Sequence, residues 1–190
     1  MILISLLLLL CTIFFIVLYI VYLLAYTHPP KKRPDPHHIP SGPLYEDHKE
    51  KMLQVVEDMV TTSHESITLT SYDGLTLHAR LFPFENKKGP VVLLFHGYHG
   101  TAEWDGYGMY QICKKLGYPI LMPDVRAHGK SDGIITFGIR ECHDVSQWIS
   151  FVLDRFGKDT PLILSGVSMG ATSILLAAGE NTMPSNVMGI

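Results

Sequence analysis

Three short apolar runs, each closed by a turn and followed by a further element, limit what this chain can fold into. "VVLLF" (91–95) runs into "HGYHG", "YPILMP" (118–123) into the polar "DVRAHGKSDG", and "PLILSGV" (161–167) into "SMGATSILLAAG". Apolar runs this short and unbroken suit strands buried on both faces, as in a parallel sheet. The stretches between them carry helical signals. Residues 103–117 read as a helix weakened by two glycines. Residues 138–157 place Val145, Trp148, Ile149, Val152, Leu153 and Phe156 at helical spacing. Residues 169–179 form a third, small-residue helix, and "NVMGI" (186–190) opens one more strand. Strand–helix alternation from residue 90 predicts an α/β fold, with right-handed crossovers and helices on both faces of a mostly parallel sheet. Ligands then bind beyond the carboxyl ends of the strands, at the loops 96–100, 124–133 and 166–170.

Upstream the pattern changes. "SITLTSYDGLTLHARLFPF" (66–84) alternates and breaks at Asp73–Gly74, which predicts a β-hairpin. Residues 44–60 carry Met52, Val55, Val56, Met59 and Val60 at a helical period, so an amphipathic helix packs there on the following domain. Residues 27–43 hold six of the chain's twelve prolines and read as a semi-rigid linker, with His37 and His38 solvated. Residues 2–26 carry no charge. As a helix they extend about 37 Å, enough to cross a hydrocarbon core of about 30 Å. The length and the lack of a small-residue cleavage site favour an uncleaved anchor over a cleaved signal or a buried core helix. Tyr19, Tyr22 and Tyr26 suit the interfacial end of such a span. Lys31, Lys32 and Arg33 follow it, which favours a cytoplasmic over an extracytoplasmic position for the rest of the chain. The organisation is then an anchor (1–26), a linker (27–43) and a catalytic domain (44–190).

A net charge of −3 gives no reason to expect a nucleic-acid partner. Cys11, Cys113 and Cys142 are too scattered for a disulfide framework or a zinc site and read as free thiols; no metal is expected. No G-x-G-x-x-G or P-loop occurs, and no cofactor is expected.

The chemistry centres on "GVSMG" (166–170). A bare G-x-S-x-G is weak evidence. Here it ends a strand and opens a helix, the context in which a strained turn exposes a serine Oγ. Gly166 and Gly170 permit close strand–helix packing. The Met169 amide then points to the same space as Ser168 Oγ, at a helix N-terminus that favours negative charge. "HGYHG" offers a second donor, and the Tyr98 amide is the choice there.

With "HGYHG", "DVRAHGKSDG" and "GVSMG" in this order, residues 65–190 resemble the α/β-hydrolase superfamily, near its bacterial membrane-anchored, serine-aminopeptidase-like (S33-type) and acylglycerol-lipase-like members. The resemblance implies Ser168 as nucleophile and the amides of Tyr98 and Met169 as oxyanion hole. It implies that Asp124, Arg126 and His128 hold a loop rather than react. It gives His96 and Gly97 supporting roles beside the oxyanion turn.

A serine nucleophile needs a base and an orienting acid, which this superfamily places after the serine. Only Glu180 follows Ser168, and no histidine does. His99, His128, His143 and Asp144 lie upstream, and the 138–157 helix is expected to hold the last two on the sheet's face, away from the loops. The chain therefore reads as a C-terminally truncated hydrolase, inactive and poorly stable alone, with strand 161–167 near an open edge. The favoured function is a serine hydrolase acting on a carboxylic ester, thioester or amide, lipids among them. A non-catalytic interaction protein and a peptidase of the same fold are the alternatives.

Overall fold

The computed structural model describes residues 2–27, 35–39, 41–85, 89–180 and 183–190. Helix α1 (Ile2–Tyr26) is an exposed apolar helix of 25 residues, long and apolar enough to span a bilayer. After it come α2 (Pro43–Glu46) and α3 (Lys49–Thr61), then the antiparallel hairpin β1 (Glu65–Thr70) and β2 (Thr76–Phe82). Strand β3 (Val91–Phe95), α4 (Ala102–Leu116), β4 (Ile120–Pro123), α5 (Glu141–Phe156), β5 (Leu162–Gly166), α6 (Met169–Gly179) and β6 (Val187–Gly189) complete the order. The sheet runs β1-β2-β4-β3-β5-β6. β3, β4, β5 and β6 pair in parallel, and β2 runs against both of its neighbours.

The two-sided burial that predicts a parallel sheet is visible residue by residue in β3. Val91, Leu93 and Phe95 face a core shared with Val145, Trp148 and Val152 of α5 and Ile174 of α6. Val92 and Leu94 face the other core, with Val55 and Met59 of α3 and Tyr110 and Cys113 of α4. Burying each large apolar side chain contributes about 1.5–3 kcal/mol, so the sheet is held from both sides. Burial without a charge partner pushes the Cys113 thiol up to about 12, so it behaves as a small core hydrophobe.

Several local expectations are corrected. The 44–60 helix is broken at Asp47–His48, and Val60 is exposed because it lies off the buried face of Met52, Val55, Val56 and Met59. Gly106 does not weaken α4 idly. A Cβ there would lie 2.6 Å from Leu94 Cδ2, so its absence lets the helix approach the sheet. The described part of the linker packs on the domain. Ile39 is buried, His38 lies against Trp104, and His37 Nε2 is 2.7 Å from Glu57, whose carboxylate raises the imidazole pKa. Strand β5 does lie near an open edge, as expected, with β3 on one side and the short outer strand β6 on the other. Lys31, Lys32 and Arg33 lie outside the described residues.

Candidate active site

Ser168 stands exposed between β5 and α6 with φ 50° and ψ −113°, a conformation that costs a non-glycine residue about 1–3 kcal/mol. The surroundings over-determine it. The Val167 amide donates to Phe95 O at 3.0 Å, and the Thr172 amide donates to Ser168 O at 3.0 Å. A Cβ on Gly170 would overlap Phe95 O, and one on Gly166 would lie 2.5 Å from the Ala171 amide nitrogen. Both glycines are therefore required by backbone passing close to backbone.

The 96–100 turn lies against this corner. A Cβ on Gly97 would be 3.3 Å from Ser168 Cβ. Its amides divide clearly. Gly97 N–H donates to Asp105 Oδ2 (2.7 Å), His99 N–H to His128 Nε2 (2.9 Å), and Gly100 N–H to Gly97 O (3.0 Å). Of residues 97–100, Tyr98 alone has an amide without a hydrogen-bond partner among the described residues. The Met169 amide, first in α6, also has none among them. Two free donors thus flank the turn that presents Ser168. Ser168 Oγ likewise has no hydrogen-bond partner among the described residues.

Behind these turns, buried polar side chains cross-link the loops. His96 is buried, and its Nε2 accepts the Val125 amide (3.0 Å) while Nδ1 donates to Gly97 O (2.9 Å). His128 repeats the pattern from the other loop: Nε2 accepts the His99 amide (2.9 Å), and Nδ1 donates to Arg126 O (2.9 Å). Each imidazole accepts on Nε2, so each carries its proton on Nδ1 and is neutral. Burial lowers the His96 pKa and reinforces that state. Arg126, its side chain fully buried, donates to Asp144 (2.7 and 2.8 Å) and Asp73 (2.7 and 3.2 Å). Its hydrogen bond holds the Asp73 carboxyl down at about 2. Asp124 accepts the Lys130 amide at 2.9 Å.

Asp144 is the clearest departure from expectation. It reaches the 124–133 loop because it sits in the first turn of α5, and a helix following a strand starts at that strand's carboxyl end. His143 lies 3.5 Å from Glu180, with Cys142 beside them, and burial pushes that thiol's pKa up. Ser168 and Glu180 cap the two ends of the eleven-residue α6, which places this pair about 18 Å along the helix from Ser168. It is out of hydrogen-bonding reach of the Ser168 hydroxyl. Sequence reasoning missed Asp105 and Glu141. Both are acidic residues in first helical turns, and Glu141 accepts from the Thr136 amide (2.8 Å), the Thr136 hydroxyl (2.5 Å) and the Gly138 amide (2.9 Å). A cleft of about 990 Å³ opens at the opposite ends of the strands, beside Gly89, Pro119 and Pro161, and contains none of these residues.

Residues 90–190, over half of the chain, match the family model described as alpha/beta hydrolase fold. The chain belongs to the alpha/beta hydrolase fold family. It is 28% identical over 127 residues to a polyketide transferase, ATR5, of Stachybotrys chlorohalonatus, covering 63% of this chain and 41% of that one. It is 27% identical over 125 residues to a thiohydrolase, aneE, of Aspergillus aculeatus, covering 63% and 39%. Among solved structures, an esterase of Pyrococcus furiosus superposes with a TM-score of 0.56 at 22% identity, covering 78% of this chain and 52% of that one. This hydrolase-fold chain thus spans about two fifths of the curated relatives it matches.

Proposed function

We propose that the protein is a membrane-anchored serine hydrolase that cleaves a carboxylic ester, thioester or amide through an acyl-enzyme on Ser168. The observation that carries the reading is Ser168 itself. It is exposed in a strained strand-to-helix turn, with the amides of Tyr98 and Met169, unpartnered among the described residues, on either side. In this reading Ser168 Oγ attacks the acyl carbon, and the two amides stabilise the charge that develops on the carbonyl oxygen. Gly166 and Gly170 hold the corner, and His96 and Gly97 set the oxyanion turn. A base and its orienting carboxylate must complete this site; no histidine follows Ser168 in the sequence, and among the described residues no imidazole bonds its hydroxyl. The names of the relatives, a thiohydrolase and an esterase among them, support thioester and ester substrates. Helix α1 serves as the anchor, and Lys31 to Arg33 favour a cytoplasmic hydrolase domain.

Labelling of the whole protein with a fluorophosphonate tests the reading. Wild type labels at Ser168, and Ser168→Ala abolishes the label while leaving the unfolding midpoint in place. A folded whole protein that takes no label at Ser168 sinks the proposal and supports a non-catalytic interaction protein on a hydrolase fold.

A further inference from the structure

The last turn of α1 does not end in solvent. It ends on the loops around Ser168. The final carbonyls of a helix have no partner within it and must find one elsewhere. Here the domain supplies them: the Ile135 amide donates to Tyr26 O at 2.8 Å, and the Tyr98 hydroxyl donates to Ala25 O at 3.2 Å. Tyr98 is the residue whose amide flanks Ser168.

The same connection is made by aromatic rings. Tyr19, Tyr22 and Tyr26 stack along one side of α1, with centroids 6.5 and 5.4 Å apart. The series continues across to the domain, from Tyr26 to Phe137 at 5.7 Å and from Phe137 to Tyr98 at 5.2 Å. Phe137 is held in place for this. It has φ 52°, unfavourable for a bulky residue, and Glu141 clamps the residues on either side of it. The next residue, Gly138, lies over α6, where a Cβ would be 2.9 Å from Thr172 Cγ2. Phe137, Tyr98 and the neighbouring Ile139 are all exposed.

Tyrosines gather where a bilayer meets water. If Tyr19 to Tyr26 lie at that level, Phe137 is one ring contact from it and Tyr98 two. We infer that this face of the domain, with Tyr98, Phe137 and Ile139 at its rim, is seated on the lipid interface, so that the Ser168 site opens toward the bilayer. The inference rests on the reading of α1 as a membrane anchor. It names a lipid surface as the partner of this face, because the rim continues the apolar surface of α1 without a break. An amphiphilic ester then reaches Ser168 with its acyl chain still in the membrane.

The test uses the full 190-residue chain in phosphatidylcholine vesicles, with and without bromine on the acyl chains. Phe137→Trp and, separately, Ile139→Trp add a reporter over the background of Trp104 and Trp148. Ile112→Trp on α4 is the control. The inference expects the added emission at 137 and 139 to fall about twofold in brominated vesicles, as for groups about 5–10 Å into the headgroup–acyl boundary. The emission at 112 stays unchanged. Unquenched reporters at both 137 and 139, in protein that floats with the vesicles and resists carbonate extraction, overturn the inference and leave the anchor standing. Release of the chain by carbonate overturns the anchor and the inference together.

Discussion

The turns at 96–100 and 166–170 meet through backbone, whereas the loop behind them, from Asp124 to Glu141, is tied down by side chains. In the first region glycines remove side chains so that chains can touch, as Gly170 does against Phe95 O and Gly97 against Ser168. In the second, a buried arginine, two neutral histidines and several carboxylates satisfy one another and the backbone. The backbone contacts shape the corner that presents Ser168. The polar network keeps the three loops in register, and its cost of burial is met only while every member has its partner.

The largest test of that contrast is Arg126→Met. It leaves Asp144 buried without its cation and Asp73 without its main partner, and should lower unfolding stability by about 3–5 kcal/mol. Urea unfolding of the detergent-solubilised chain, followed by tryptophan emission, measures it. A loss under about 1 kcal/mol would mean that the network is ornamental and the glycine corner alone sets the loops.

Gly170→Ala tests the other region. Its Cβ has no space against Phe95 O and cannot push backbone aside cheaply, so a loss of about 3 kcal/mol is expected in the same assay. A freely tolerated alanine would show that the strand–helix crossing is looser than described.

His96 gives a pH-dependent test. Its pKa is lowered in the folded chain by burial, so below about 6.5 the unfolded chain binds a proton that the folded one refuses. Stability is therefore fully present above that pH and falls as the pH drops from it toward the folded value. His96→Phe should flatten this part of the profile. It should also cost about 2 kcal/mol at pH 8, by stranding the Val125 amide and Gly97 carbonyl. An unchanged acid slope would show that other groups carry it.

The smallest effect has the opposite sign. Ser168→Gly relieves the strain at φ 50° and should raise the unfolding free energy by about 1 kcal/mol while removing the fluorophosphonate label. A destabilised glycine variant would show that the conformation is not strained in this chain.

Much of the fold was legible because its signals are local. Val91 to Phe95 could hardly be anything but a two-sided strand, and Val145, Trp148 and Val152 repeat at a helix's own period. The Asp73–Gly74 break marked the hairpin. The serine corner was legible too, since a serine between glycines after such a strand leaves few conformations open. The amide division in the 96–100 turn was not, because Asp105 and His128 reach it from elsewhere in the chain.

The sequence alone determined the apolar α1, the alternation of strands and helices, and the position of Ser168 at a strand-to-helix turn. These depend on periodicity and on residues adjacent in the chain. The tertiary structure alone decided that Asp144 and Asp73 share Arg126, that His96 and His128 bridge two loops, that Glu141 clamps the loop bearing Phe137, and that α1 ends on Tyr98. Each joins polar groups or rings distant in sequence, and their pairing is set by which loops the parallel sheet gathers at one end.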